Sequence, residues 1–113
     1  MDTNFLTEEV NQLHADICAA LADPRRILIL YVLTNKNINV SDLANEVGIS
    51  QPAASRHLKI LRERGLVQPL RQGASVEYKL TDHRLIDALD LLRMVLRDRI
   101  AYRASLMESE PEI

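Results

Sequence analysis

Leu6, Val10, Leu13, Ile17 and Leu21 recur at spacings of three and four residues, the period that places apolar side chains on one side of a helix. The pattern predicts a first amphipathic helix over about residues 6 to 21, with Asn4 or Thr7 available near its start. Asp23-Pro24 follows. Asp is a strong N-cap, and proline at the first helical position gives up an N–H that would have no partner there. A second helix therefore begins at this point. Its continuation, Ile27 to Leu33, is an uninterrupted apolar run with the composition of a buried strand. The start signal before it decides for a helix buried on most sides.

Asn35-Lys36-Asn37 breaks the pattern, and Asn39 or Ser41 can cap a short third helix with Leu43, Ala44 and Val47 on one face. Gly48 ends it, Ile49 can pack back against the turn, and Ser50 caps a fourth helix with Pro52 in its first turn. In that helix Ala54, Leu58 and Leu61 fall on the inward side, leaving Gln51, Ser55, Arg56, Lys59 and Arg62 for the other faces. Gly65 stops it. Leu66-Val67, Val76 and Tyr78-Lys79-Leu80 then flank Arg71-Gln72-Gly73-Ala74-Ser75, the pattern of a β-hairpin with glycine at its tip. Asp82 can cap a last helix in which Leu85, Leu89, Leu92 and Leu96 repeat at close to 3.5 residues, with Ile86 and Val95 widening the stripe. The expected fold is mainly α with a small β-hairpin: four helices, two strands and a fifth helix.

At 113 residues the chain has room for one independent core. Residues 1–105 are expected to form it, and 106–113, with Glu108, Glu110, Pro111 and Glu112, an acidic frayed tail. No apolar run approaches the roughly 20 residues of a membrane span, and the start at Met1-Asp2 lacks signal-peptide form. A cytoplasmic protein without membrane partners is expected. The single Cys18 excludes an intramolecular disulfide and a Cys-x-x-Cys pair. The four aromatic residues argue against a stacking platform for single strands. No phosphate loop, activated nucleophile or metal triad is visible, so an enzyme is not expected and no cofactor is implied.

The net charge is -2, yet residues 50–79 carry a local balance of +4 and the remainder -6. One basic face on an acidic body is the footprint of a duplex-binding surface. The helix pair and glycine turn have the geometry that places one helix in the major groove, with the hairpin beside it. Gln51 and Arg56 can make bidentate hydrogen bonds to adenine and guanine edges, Ser55 can pair with either, and Lys59 suits a phosphate. Ser50 at the helix start, His57 as a phosphate contact or packing group, and Arg71, Gln72 and Gly73 on the hairpin complete the expected DNA-contact set. A charge-rich helix face can also be merely solvated, or can bind another protein.

Four runs in order, Leu21-Ala22-Asp23-Pro24-Arg25-Arg26, Val40-Ser41-Asp42-Leu43-Ala44, Ser50-Gln51-Pro52-Ala53-Ala54-Ser55-Arg56-His57-Leu58-Lys59-Ile60-Leu61, and Gly65-Leu66-Val67 with Arg71-Gln72-Gly73, resemble the ArsR/SmtB winged helix-turn-helix repressors over about residues 10 to 100. The resemblance implies a sequence-specific double-stranded DNA-binding transcriptional repressor, a homodimer on an inverted-repeat operator, released by an inducer. The apolar stripes independently call for a partner, and pairing of the first and last helices through Leu13, Ile17, Leu85, Leu89, Leu92 and Leu96 is expected. The alternative for the last stripe is intrachain core.

Members of the family commonly carry a Cys-Val-Cys metal element, which here reads Asn39-Val40-Ser41 and offers no thiolate. Their second recurrent site corresponds to Asp82, Arg84, Val95 and Asp98, where a guanidinium and an isopropyl group replace two imidazoles. Both metal sites are therefore expected to be absent. His14 and Cys18, at i and i+4, form a possible sensor pair. Beside an apolar stripe, Cys18 is more simply a small buried hydrophobe. The inducer's chemistry stays open among an unrecognised metal site, a reactive thiol at Cys18, a small organic ligand, and constitutive repression without one.

Overall fold

The computed structural model describes residues 2–109, in two compact units: the chain up to Asp82, and the chain from His83 onward. Helix α1 spans Thr3–Leu13. Its cap is Asp2, whose carboxylate accepts the Asn4 N–H at 3.1 Å, rather than Asn4 or Thr7; the Thr7 hydroxyl donates instead to the Thr3 carbonyl at 2.8 Å. The helical path continues through His14–Cys18 in π-helical geometry, closed by the Ala19 N–H donating to the His14 carbonyl. One extra residue in the turn of this kind re-aims the side chains that follow it.

The other starts and stops fall where capping chemistry places them. Helix α2 spans Pro24–Val32, with the Asp23 carboxylate accepting the Arg25 N–H at 2.9 Å. That bond holds the Asp23 carboxyl below its ordinary 3.8. Helix α3 (Val40–Val47) is capped by Asn39, which accepts the Asp42 N–H at 2.8 Å. Gly48 closes it at φ 78°, with Gly48 and Ile49 N–H groups both donating to the Ala44 carbonyl. Only glycine takes this left-handed backbone without steric cost. Helix α4 (Gln51–Glu63) follows, Ser50 Oγ accepting the Ala53 N–H at 3.2 Å.

Ile29 and Leu30 of α2, Leu43 and Ala44 of α3, and Ala54, Leu58 and Leu61 of α4 are buried. Burying each large aliphatic side chain contributes about 1.5–3 kcal/mol against conformational entropy. The sheet is larger than the expected hairpin. Strands β2 (Val67–Gln72) and β3 (Ser75–Leu80) pair antiparallel, and a two-residue strand β1 (Ile38–Asn39) adds to the other edge of β3, Ile38 opposite Tyr78 and Asn39 opposite Glu77. A two-residue strand has no period to read in sequence; pairing with β3 and burial of Ile38 fix it. Gly73, at φ 63°, opens the two-residue turn between the longer strands, the first-position glycine of a II′ hairpin.

Arg26 joins three segments of the first unit. Its Nε donates to the Ala20 carbonyl at 2.6 Å and its Nη2 to the Ala19 carbonyl at 3.4 Å. Nη1 reaches His57 Nδ1 of α4 at 3.4 Å and lies 4.0 Å from Asp23. Guanidinium only donates, so in this contact Nδ1 is the acceptor, a role that the neutral ring can fill. Burial pushes the His57 pKa below its ordinary 6.5; Asp23 opposes this, and Arg26, Arg25 and Arg56 add to it.

Helix α5 runs from Arg84 to Ser109, 26 residues, its first turn closed by the Ile86 and Asp87 N–H groups donating to the His83 carbonyl. It continues beyond residue 105, so residues 106–109, expected in a frayed tail, are helical; 110–113 lie outside the described residues. Among the described residues, no helix is long and apolar enough to cross a membrane.

Two stability measurements test this account. Gly48→Ala should destabilise by about 1 kcal/mol in denaturant unfolding, and Gly48→Asn by less, because a Cβ there meets open space and the cost is conformational alone. For His57, the unfolded ring binds a proton that the folded ring excludes. Stability from this group is present above pH 6.5 and is lost as pH falls below it. His57→Gln should flatten the decline between about pH 7.5 and pH 5.5; an unchanged decline would refute the assignment.

Candidate nucleic-acid interface

Helix α3, the Gly48–Ser50 turn and helix α4 form the helix-turn-helix, and the β2–β3 hairpin is the wing. Helix α4 is about 20 Å long. Ala54, His57, Leu58 and Leu61 face inward, and Gln51, Ser55, Arg56, Lys59 and Arg62 are exposed. Gln51, Ser55, Lys59 and Arg62 follow one another at i, i+4, i+8 and i+11 and form one outward line. Among the described residues, none of these outward side chains is held in a hydrogen bond or ion pair. Lys36 and Arg64, by contrast, pair with Glu46 and Asp16.

The rest of the expected contact set divides. Ser50 is exposed with its oxygen engaged as the cap. Arg71, Gln72 and Gly73 are exposed on the wing, and the Gln72 carbonyl accepts the Ser75 hydroxyl at 3.0 Å. His57 does not belong in the set: it is only 9% exposed, turned toward Arg26. Of the two roles expected for His57, phosphate contact or packing, its position beside Leu58 on the inward side decides for packing.

Two cavities flank the wing. One, of about 350 Å³, is lined by Arg62, Pro69, Arg71, Val76 and Tyr78. Pro69 lies opposite Tyr78 and Arg71 opposite Val76, so these four share one face of the hairpin, and Arg62 joins them from the end of α4. The other, of about 380 Å³, includes Lys36, Asp42, Glu46 and Glu77 in its lining. Glu77 alternates with Val76 and Tyr78 and therefore lies on the opposite face of β3. Arg62 and Tyr78 escaped the sequence reading as site residues; the signal for them was the outward helical spacing ending at Arg62 and the two-residue alternation on β3.

The expected sensor pair is placed differently from its simplest reading. His14 and Cys18 lie in the π-helical segment and both are exposed, so Cys18 is not a packed hydrophobe within the chain. Of residues 14–20 only Ala20 is buried, because most of the first apolar stripe is left uncovered. Asp16 of the same segment accepts from Arg64 Nη1 at 3.2 Å. Among the described residues, no three His, Cys, Asp or Glu side chains are grouped to hold a metal ion.

Of the expected interface residues, Leu13, Leu92 and Leu96 are exposed and Ile17 and Leu85 half-buried. Leu89, like Ile86, is 5% exposed within the single chain; i and i+3 share a helix side.

The "Bacterial regulatory protein, arsR family" matches residues 23–68, from the α2 cap into β2. The HTH-type transcriptional regulator NmtR of Mycobacterium tuberculosis is 42% identical over 76 residues, covering 67% of this chain; the chain spans 63% of NmtR. A probable mercury resistance operon repressor of Streptomyces lividans is 34% identical over 102 residues, 87% of this chain and 82% of that protein. A homodimeric winged helix-turn-helix DNA-binding domain of Mycobacterium bovis, described as a possible ArsR-family regulator, superposes with a TM-score of 0.75 at 25% identity, over 89% of this chain and 93% of that one. With the helix-turn-helix, the wing and these similarities together, the chain belongs to the arsR family of bacterial regulatory proteins.

Proposed function

We propose that the protein is a transcriptional repressor that binds an inverted-repeat operator in double-stranded DNA as a homodimer. The observation that carries this is the outward line of α4, exposed and, among the described residues, without side-chain partners while the opposite side of the helix is buried. The major groove, about 12 Å wide, admits one helix. Gln51, Ser55 and Arg56 lie in the N-terminal half of α4, the part that reads base edges in this motif, and Lys59 follows toward the phosphates.

Dimerisation is favoured by apolar surface that a single chain leaves uncovered. Phe5, Leu6, Val10 and Leu13 are exposed on α1; on α5, Leu92 is 63% exposed, with Val95, Leu96 and Ile100. Contiguous apolar faces of this kind mark an interface. A two-fold dimer of recognition helices fits half-sites about 34 Å apart. The residues at positions 39, 41, 84 and 95 are poor ligands, which supports a regulator without the family's usual metal sites.

Fluorescence anisotropy on DNA from upstream of the protein's own gene, against random duplex, tests the reading. Binding should be sequence-selective and should weaken steeply with salt. Arg56→Ala should cost about 1–3 kcal/mol on the operator and little on random DNA, whereas Lys59→Ala should weaken both alike. Equal losses on both duplexes for both variants would sink that division of roles. In sedimentation the wild type should be a dimer, and Leu92→Asp/Leu96→Asp should be a folded monomer with reduced operator affinity; a monomeric wild type would refute the dimer.

A further inference from the structure

The cavity of about 350 Å³ between the end of α4 and the wing is lined, among the described residues, by two guanidiniums, Arg62 and Arg71, one tyrosine, two apolar residues and no carboxylate. Like charges converging on one concavity repel, and an anion between them removes that cost. Among the described residues neither arginine has an ion-pair partner, although the chain carries more acid than base. The wing's own Glu77 lies on the other face, against the second cavity. The wing's own acid is thus directed away.

Two forked donors and a phenolic hydroxyl match a tetrahedral oxyanion, since each guanidinium can give paired N–H donors and tyrosine adds a neutral one. Position along α4 selects the source. Arg62 is eleven residues beyond Gln51, a rise of about 16 Å. With the start of α4 on base edges in a groove about 12 Å wide, the cavity falls at the groove's edge, where the phosphates are. From this geometry we infer that Arg62, Arg71 and Tyr78 form a single phosphate-binding pocket that clamps one backbone phosphate of the bound duplex and fixes the wing against the recognition helix. The inference rests on the DNA-binding reading above and assigns Arg62 and Tyr78 positioning roles, with no part in base selection.

The test compares the salt dependence of duplex binding for wild type, Arg62→Ala, Arg71→Ala and the double variant, with circular dichroism as the control for folding. The double variant should lower the slope of log K against log salt by about one, the value for one phosphate, and equally on operator and random duplex. Arg62→Lys/Arg71→Lys should restore the slope, and Tyr78→Phe should weaken binding without changing it. A loss of about two in the double variant means two separate phosphates and overturns the shared pocket; an unchanged slope overturns the pocket while leaving DNA binding intact. No salt-dependent binding by the wild type overturns the DNA-binding reading itself. Inorganic phosphate, titrated while Arg Nε–Hε signals are followed by NMR, separates sources: movement of both signals combined with an unchanged duplex slope assigns the pocket to a free anion and overturns the clamp.

Discussion

The Ala20 carbonyl, at the end of the first helical segment, accepts from the guanidinium of Arg26, which also reaches the Ala19 carbonyl that the Ala22 N–H already serves. The same group reaches His57 on α4 and lies near Asp23, the cap of α2. Three segments are therefore joined by one directional, charged donor. The buried stripe Ala54, Leu58 and Leu61 sets the inward side of α4, and the Arg26–His57 contact adds a directional tie to that non-directional packing, on the side opposite the outward line from Gln51 to Arg62.

The electrostatics of the molecule are sorted by local geometry more than by composition. A chain with net charge -2 presents cations on α4 and one face of the wing because strand alternation sends Glu77 to the other face, where Lys36 and three carboxylates line a cavity. Arg64, one of the six cations of this stretch, is withdrawn into a pair with Asp16. The basic face is thus smaller than the local count of charges suggests, and better placed.

The π-helical turn at His14–Cys18 has a related consequence. It lies where α1 passes toward the Arg26 contact, and its Asp16 holds the residue that ends α4. The segment with the chain's only cysteine is therefore tied by one exposed ion pair to the recognition helix. Such a pair contributes little to stability, and its place in the fold is its significance.

Sequence alone determined the elements whose causes are local. Asp23-Pro24, Asn39, Gly48 and Ser50 act through their own backbone neighbours, so the starts of α2, α3 and α4 and the turn between the last two were legible from residue types and spacing. The inward side of α4 followed from period, as did the hairpin. Tertiary structure decided what depends on partners distant in the chain. Strand β1 exists because β3 offers an edge 40 residues away; His57 meets Arg26, brought from α2, on the inward side of α4; Cys18 is exposed because most of the first apolar stripe is left uncovered within one chain. Leu89 and Leu92 carry the same side chain in the same repeat, yet one is buried and the other exposed. A heptad-like pattern marks apolar positions without saying what covers each, because burial belongs to pairs of surfaces and only the folded chain brings them together.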